Sequence, residues 1–294
     1  MDNLNDIRRY YAEEVCVVAN IKSAALVKAF ATVQREQFLG AGPWQIWYAD
    51  IITGGGSYST TADDNPRHLY HNVMVAIDAG RSINNGYPSG LALWIDSLDL
   101  REGDRVLHVG TGVGYYTAIM AEMVGPGGHV TGIEVNPELA PLARKNLEYL
   151  HHVEVLNRSG AEYTPAEPVD AILVNAGATH PRSVWLDKLR PGGRLLLPLI
   201  FTHDPNEIGN GFMLLVKREA GGYSARPISQ VSIYPCIGVR DEELNQRLRD
   251  LVMRGTWRMI RSVRREPHQP STTCLAHKDE VCLSSLPIEQ SLSS

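Results

Sequence analysis

Near the start of the chain, apolar residues recur three and four positions apart: Ile7, Tyr10, Tyr11 and Val15, then Leu26, Phe30 and Val33. That spacing predicts helix over 5–39. The pattern fails from Gly40 to about Pro66, where Gly54-Gly55-Gly56 and a Ser/Thr cluster at 57–61 predict a long loop. Loops of that length in compact domains serve as lids or binding loops. Leu69 to Ile77 alternates like a strand and runs into a polar turn, Gly80-Arg81-Ser82-Ile83-Asn84-Asn85-Gly86-Tyr87-Pro88-Ser89. Ser89 is placed to cap a helix over Leu91 to Leu98.

The central pattern is different in kind. Val106-Leu107-His108-Val109 leads straight into Gly110-Thr111-Gly112-Val113-Gly114, and an apolar-rich segment follows. This predicts a strand, a tight glycine turn and a helix, whose first free N–H groups favour an anionic group. Gly125-Pro126-Gly127-Gly128 turns the chain back into a second strand, Val130 to Ile133, with Glu134 at its end. An acidic residue there is suited to accept hydrogen bonds from ribose hydroxyls. Asn136 and Pro137 suit the N-cap and first position of the next helix, with Leu139, Leu142, Ala143, Asn146 and Leu147 facing inward.

Further strands are predicted at Val153 to Leu156, at Val169 to Val174 with Asn175-Ala176-Gly177 following, and at Arg194 to Leu199. A short helix around 181–189 and the turn Arg190-Pro191-Gly192-Gly193 join the last two. Strands apolar on both faces, alternating with helices, predict an α/β fold with a doubly wound, mostly parallel sheet. Beyond residue 200, Gly211 to Lys217 and Tyr223 to Ile228 read as an antiparallel edge hairpin through Gly221-Gly222. Asp241 caps a helix with Leu244, Leu248, Leu251 and Val252 inward, ended by Gly255. Thr256 to Arg265 reads as extended, and the polar tail from Pro287 as disordered. Three regions result: N-terminal helices and a lid loop (1–100), a sheet core (101–238) and a C-terminal extension (239–294).

Composition narrows the function classes. The chain has 294 residues, enough for a sizeable core, and a net charge of −5. That balance makes no electrostatic case for nucleic acid as the main partner, and the uncharged stretch Val106 to Ala121 is broken by glycines and too short for a membrane span, so no membrane partner is expected. No N-terminal secretory segment is expected, since Asp6, Arg8, Arg9, Glu13 and Glu14 interrupt it, and a cytoplasmic protein is expected. Cys16, Cys236, Cys274 and Cys282 are too scattered for a disulfide scaffold and read as reduced packing residues. Cys274 and Cys282 with His268 and His277 match no common ligand spacing well, so no metal is expected. Arg254, Arg258, Arg261, Arg264 and Arg265 read as a solvated basic face or an acidic partner's surface. His108, inside the central strand, reads as a core histidine, and Trp257, Met259 and Ile260 as packing.

A strand followed by Gly-x-Gly-x-Gly differs from the usual nicotinamide and flavin spacing, where the third glycine comes one position later. With Glu134, Asp170 to Gly177 and Pro191-Gly192-Gly193, the chain resembles class I S-adenosylmethionine-dependent methyltransferases, which have a Rossmann-like fold. Val106 to Ala118, Glu134 to Ala140, Asp170 to Ala176 and Leu189 to Leu195 resemble more closely the protein-L-isoaspartate O-methyltransferase family. So do Ala31 to Phe38, like that family's opening helix, and Ile233 to Gly238, like its late strand. The resemblance covers about residues 27 to 238.

What the resemblance implies is position by position. The cofactor is S-adenosyl-L-methionine. Gly110, Thr111, Gly112 and Gly114 border its methionine part, Glu134 holds the ribose, and Asn175 sits near the sulfonium. Ser159-Gly160 stands where the family has Asp-Gly beside the adenine. Ser82 and Asn84 stand in the family's substrate loop, Asn84 at the position of a serine associated with activity. The expected acceptor is a carboxylate of a protein or peptide, already an anion at neutral pH, so no general base is needed. A neutral hydroxyl acceptor would need one, and His68 and His71 are the candidates. A small molecule or dedicated peptide as acceptor stays open, as does a cofactor-binding protein without turnover. A nicotinamide oxidoreductase is disfavoured by the glycine spacing and the late hairpin.

Overall fold

The computed structural model describes residues 3–49, 55–278 and 281–288. The chain forms two compact units built from interleaved segments. One comprises Met1–Gly103, Thr111–Val130 and Asn136–Val155; the other comprises Asp104–Gly110, Thr131–Val135 and Leu156–Ser294.

The first unit opens with α1 (Leu4–Ala19) and α2 (Ala24–Thr32), each started by a side-chain cap, Asn3 and Ser23. Tyr11, Ala12 and Val15 face inward, whereas Tyr10, in phase with them in sequence, is 62% exposed. After a 3-10 turn, Arg35–Phe38, the expected patternless loop contains a hairpin, β1 (Gln45–Ala49) and β2 (Gly56–Thr60). Its register pairs Gln45 with Thr60 and Tyr48 with Ser57. Neither strand has a buried face, so no alternation of apolar and polar residues marks it. Gly54 lies outside the described residues.

The strand expected over 69–77 is a correction. The chain makes a 3-10 turn, Pro66–Leu69, and only Ala76–Asp78 (β3) is strand, paired with Ile83–Asn84 (β4). The alternation has another cause. The carbonyls of Leu69, His71 and Val73, two residues apart, all accept from the guanidinium of the fully buried Arg35, at 2.6–3.1 Å. A side chain takes the place of a partner strand. Arg35 also lies over the rings of Tyr11 and Tyr115, at 5.7 and 5.8 Å. Helix α3 (Pro88–Ser97) begins at the proline, so Tyr87 and not Ser89 holds the cap position. The Ser89 N–H donates instead to Asn72 Oδ1 at 2.9 Å. Helices α4 (Tyr115–Val124) and α5 (Leu139–Leu147) complete the unit. Helix α5 begins at Leu139 rather than Pro137, so Glu138 and not Asn136 holds the cap position, and Asn136 Oδ1 accepts from the Glu138 and Leu139 N–H groups just ahead of the helix.

The second unit carries most of the large sheet. Its strands are β5 (Arg105–Val109), β6 (His129–Glu134), β7 (Val153–Asn157), β8 (Val169–Val174), β9 (Leu189–Phe201), β10 (Gly209–Glu219), β11 (Gly222–Ile233), β12 (Ser262–Arg264), β13 (Cys274–Lys278) and β14 (Val281–Ser284). The order is β13-β14-β12-β11-β10-β9-β8-β5-β6-β7. β5, β8 and β9 are parallel neighbours, and β9 to β13 pair antiparallel. The strand order reverses between β5 and β8, the place where doubly wound sheets bind ligands at the carboxyl ends of their strands. The fold is therefore the α/β sheet with an antiparallel edge that was expected, but that edge continues through the C-terminal strands beyond the hairpin.

Two local differences are instructive. Arg190 to Gly193 is not a turn before β9 but a bulge inside it, between Val169↔Leu189 and Ala171↔Arg194. Thr256–Met259 is a 3-10 turn and only Ser262–Arg264 is extended. The arginine cluster does not form one basic face. Arg264 is buried and paired with Glu266, Arg265 pairs with Asp187, and Arg258 lies over the Trp257 ring. Trp257 stacks on Phe212 at 5.1 Å and Ile260 is buried, whereas Met259 is half exposed. Helices α6 (Ser183–Lys188) and α7 (Glu242–Arg254) flank this unit's core, α7 capped by Asp241 and ended by Gly255 as expected. The polar tail lies, from residue 289, outside the described residues. Among the described residues no helix is long and apolar enough to cross a membrane.

Candidate functional site

The strand ends of the second unit gather five of the residues singled out above. Gly110 directly follows β5, and its N–H donates to the Ile133 carbonyl at 2.8 Å. Asn175 directly follows β8, and its N–H donates to the Val109 carbonyl at 2.7 Å. These two residues flank the point where the strand order reverses. Gly110 has φ +83°, and a Cβ there would stand 3.0 Å from the Asn175 carbonyl oxygen. Only glycine lets the chain leave the strand at this angle and keep that approach.

Glu134 closes β6 with 7% of its surface exposed. Its carbonyl accepts from Asn157 Nδ2 at 2.8 Å and from the Arg158 N–H at 3.2 Å, which holds the backbone under the carboxylate in place. Ser159 and Gly160 follow β7. The Ser159 carbonyl accepts from the N–H groups of Glu162 and Tyr163, and the Gly160 carbonyl accepts from Trp185 Nε1 at 2.9 Å. Burial pushes the thiol of nearby Cys236 up to about 11, so it stays protonated and is no nucleophile.

The rest of the glycine turn opens α4 in the first unit. Thr111 is buried, and its carbonyl accepts from the Gly114 N–H at 3.0 Å. Around Gly112 a Cβ would meet nothing within 4 Å, so its backbone, at φ +59°, borders open space. Gly114 has φ +97° and packs against Leu147, 2.8 Å from where its Cβ would be.

Ser82 and Asn84 also lie in the first unit. Ser82 takes φ +55°, and its N–H donates to the Ala79 carbonyl. Asn84 uses its Oδ1 on its own turn, accepting the Gly86 N–H at 2.9 Å, while Nδ2 reaches the Tyr58 hydroxyl at 3.4 Å. The loop is further pinned by Arg81, which pairs with Asp78 at 2.6 Å and Glu138 at 2.7 Å. Of the two histidine candidates, His68 pairs with Asp63 at 2.7 Å. His108 is a core histidine as expected: it is fully buried, and burial lowers its pKa to about 3.

Sequence reasoning missed one feature of the second unit. A cleft there is lined by His180, Arg182, Ser183, Asp241 and Lys278, the last two paired at 2.6 Å. Burial holds the His180 imidazole below its ordinary pKa, which keeps it neutral near pH 7. Its position shortly after Asn175 on a strand-end loop was the available signal.

Comparisons with known proteins bear on the family and the fold. The family model for protein-L-isoaspartate(D-aspartate) O-methyltransferase (PCMT) matches residues 58–237. A protein-L-isoaspartate O-methyltransferase of Hyperthermus butylicus is 35% identical over 249 residues, 79% of this chain and 89% of the relative. One of Ignicoccus hospitalis is 38% identical over 177 residues, 58% of this chain and 80% of the relative. A solved protein-L-isoaspartate O-methyltransferase superimposes with a TM-score of 0.55 at 21% identity, over 86% of this chain and 71% of that one. A Plasmodium falciparum chain assigned to the same family, in complex with S-adenosyl-L-homocysteine, gives 0.57 at 17% identity, over 78% and 97%. At those identities the two structures speak for the fold.

Proposed function

The chain belongs to the protein-L-isoaspartate(D-aspartate) O-methyltransferase family, and from that premise we propose that it transfers a methyl group from S-adenosyl-L-methionine to a carboxylate of a protein or peptide. The observation that carries the reading is the pairing of Gly110 and Glu134 at adjacent strand ends beside the reversal of strand order. A buried carboxylate there accepts from vicinal ribose hydroxyls, and a glycine backbone admits a ligand close by.

When bound, S-adenosyl-L-methionine supplies an electrophilic methyl group on a sulfonium. The protein's own residues then bind and align. Glu134 holds the ribose, and Gly110 and Gly112 give their backbone to the methionine part. Ser159 stands where the resemblance places an acidic contact to the adenine, and it offers a hydroxyl there. A carboxylate acceptor is an anion at neutral pH, so alignment and exclusion of water carry the catalysis and no base is required. Ser82 and Asn84 serve the acceptor side. Four free cysteines fit a reducing, cytoplasmic compartment.

A second acceptor, a dedicated peptide or a small molecule, is favoured by one observation. Asn84 is tied through Tyr58 to the β1–β2 hairpin, so the acceptor loop is coupled to a further element. Calorimetry with S-adenosyl-L-homocysteine, with Glu134→Ala as control, tests the cofactor; no binding by the wild type overturns the reading. Transfer of radiolabelled methyl to an isoaspartyl peptide, read as a base-labile ester, tests the acceptor. Binding of the cofactor product without an ester on that peptide selects the second acceptor class.

A further inference from the structure

Four side chains that methyl transfer does not use converge in the second unit. His268, Cys274, His277 and Cys282 each present one nitrogen or sulfur, and these four atoms all lie within 4.8 Å of one another. Strand pairing explains part of this. The β13–β14 hairpin sets His277 opposite Cys282, and Cys274 opens β13 opposite Ser284. His268 comes from the connection after β12. Its ring meets the His277 ring edge-on at 4.6 Å, and its Nε2 is 3.5 Å from Cys274 Sγ.

We propose that these four residues bind one zinc ion in a closed Cys2His2 site that fastens the β13–β14 hairpin to the segment after β12. Ligands at about 2.0–2.3 Å in a tetrahedron stand about 3.3–3.8 Å from one another. The His268–Cys274 pair already has that separation, and rotations of about 1 Å at the side-chain ends bring in the others. Two imidazoles and two thiolates in a tetrahedral set suit zinc, and four protein ligands leave no open position for chemistry.

The surroundings support a ligand role. His268 Nδ1 lies 2.7 Å from the Glu266 carbonyl oxygen. A carbonyl only accepts, so Nδ1 carries the proton and Nε2 turns its lone pair toward Cys274, the arrangement that orients metal-bound histidines. The Ser271 N–H donates to Cys274 Sγ at 3.4 Å, and the Ser271 hydroxyl stands 3.6 Å from it. Such donors stabilise a thiolate. A cleft lined in part by Glu243, Arg247 and Pro270 opens onto Cys274 and His277 and gives an ion access. A disulfide is the competing use of the cysteines. Both are free thiols, and the register places neither directly opposite the other.

The expectation of no metal rested on spacing. The ligands alternate His, Cys, His, Cys along the chain, so no Cys-x-x-Cys pair announces them. Elemental analysis of the full chain, purified without chelator and supplied with zinc, is expected to give one zinc per chain, reduced severalfold in Cys274→Ser and in Cys282→Ser. Cobalt(II) added to the chelated wild type is expected to give the intense visible bands and sulfur charge transfer of a tetrahedral thiolate site, a readout that needs no variant to fold. A wild type that takes up neither ion, zinc content unchanged in Cys274→Ser, or an intact mass showing a Cys274–Cys282 disulfide would each overturn the proposal.

Discussion

A Cβ placed on Gly160 would stand 2.2 Å from Val109 Cγ1, closer than any side chain can sit. Val109 is the last residue of β5 and is 3% exposed, so it has little room to yield. Gly160→Ala is therefore expected to push the end of β5 and move Gly110 with it. Overpacking of this kind costs about 1–3 kcal/mol. Denaturant unfolding should show that loss, and calorimetry should show affinity for S-adenosyl-L-homocysteine reduced about tenfold or more. Unchanged affinity would mean that Gly110 keeps its place without Gly160.

Asn84 separates turn formation from acceptor handling. Asn84→Asp keeps the oxygen that accepts the Gly86 N–H but loses the amide that reaches Tyr58. Stability is expected to stay within about 0.5 kcal/mol of the wild type, as for most surface substitutions. Turnover of the methyl acceptor should fall while affinity for S-adenosyl-L-homocysteine is retained. Equal turnover would assign Asn84 to the turn alone.

Arg35 is fully buried in the first unit. Arg35→Met leaves the carbonyls of Leu69, His71 and Val73 without the donor they share. The expected loss is about 3–5 kcal/mol, because buried acceptors are stranded and the methionine offers only packing. Arg35→Lys should recover only part of it, since one ammonium cannot span three carbonyls. Urea titrations of the three proteins provide the comparison.

His108 makes stability fall in acid. Burial lowers its pKa from 6.5 to about 3, so below pH 6.5 the unfolded chain binds a proton that the folded chain does not. The stabilisation is fully present above pH 6.5 and is lost progressively as pH falls toward 3. Between about pH 7 and pH 4.5 this one residue accounts for about 2–3 kcal/mol. Wild type and His108→Gln, unfolded in denaturant at both pH values, should differ in their acid loss by about that amount. Equal losses would show that His108 does not titrate between the two states.

Much of the core was legible because it is local. The run from Val106 to Val109, the glycines after it and Glu134 one strand later obey rules of neighbours in sequence, and the structure places them as read. The same holds for the Asp241 cap, where one side chain meets an N–H group three residues away. The β1–β2 hairpin was illegible because both of its faces are exposed. The stretch 69–77 misled because an arginine more than thirty positions earlier, rather than a second strand, takes up its alternate carbonyls.

By itself, then, the sequence determined the strand–turn–helix core, the acidic residue at the neighbouring strand end, and the family those motifs belong to. Periodicity records which face of an element is buried, and turn chemistry records φ angles, so both survive in one dimension. Only the tertiary structure decided that Arg35 holds a distant segment, that the C-terminal strands extend the main sheet, and that His268, Cys274, His277 and Cys282 come within 4.8 Å of one another. Those outcomes depend on contacts between residues far apart in the chain, which the spacing of neighbouring residues does not record.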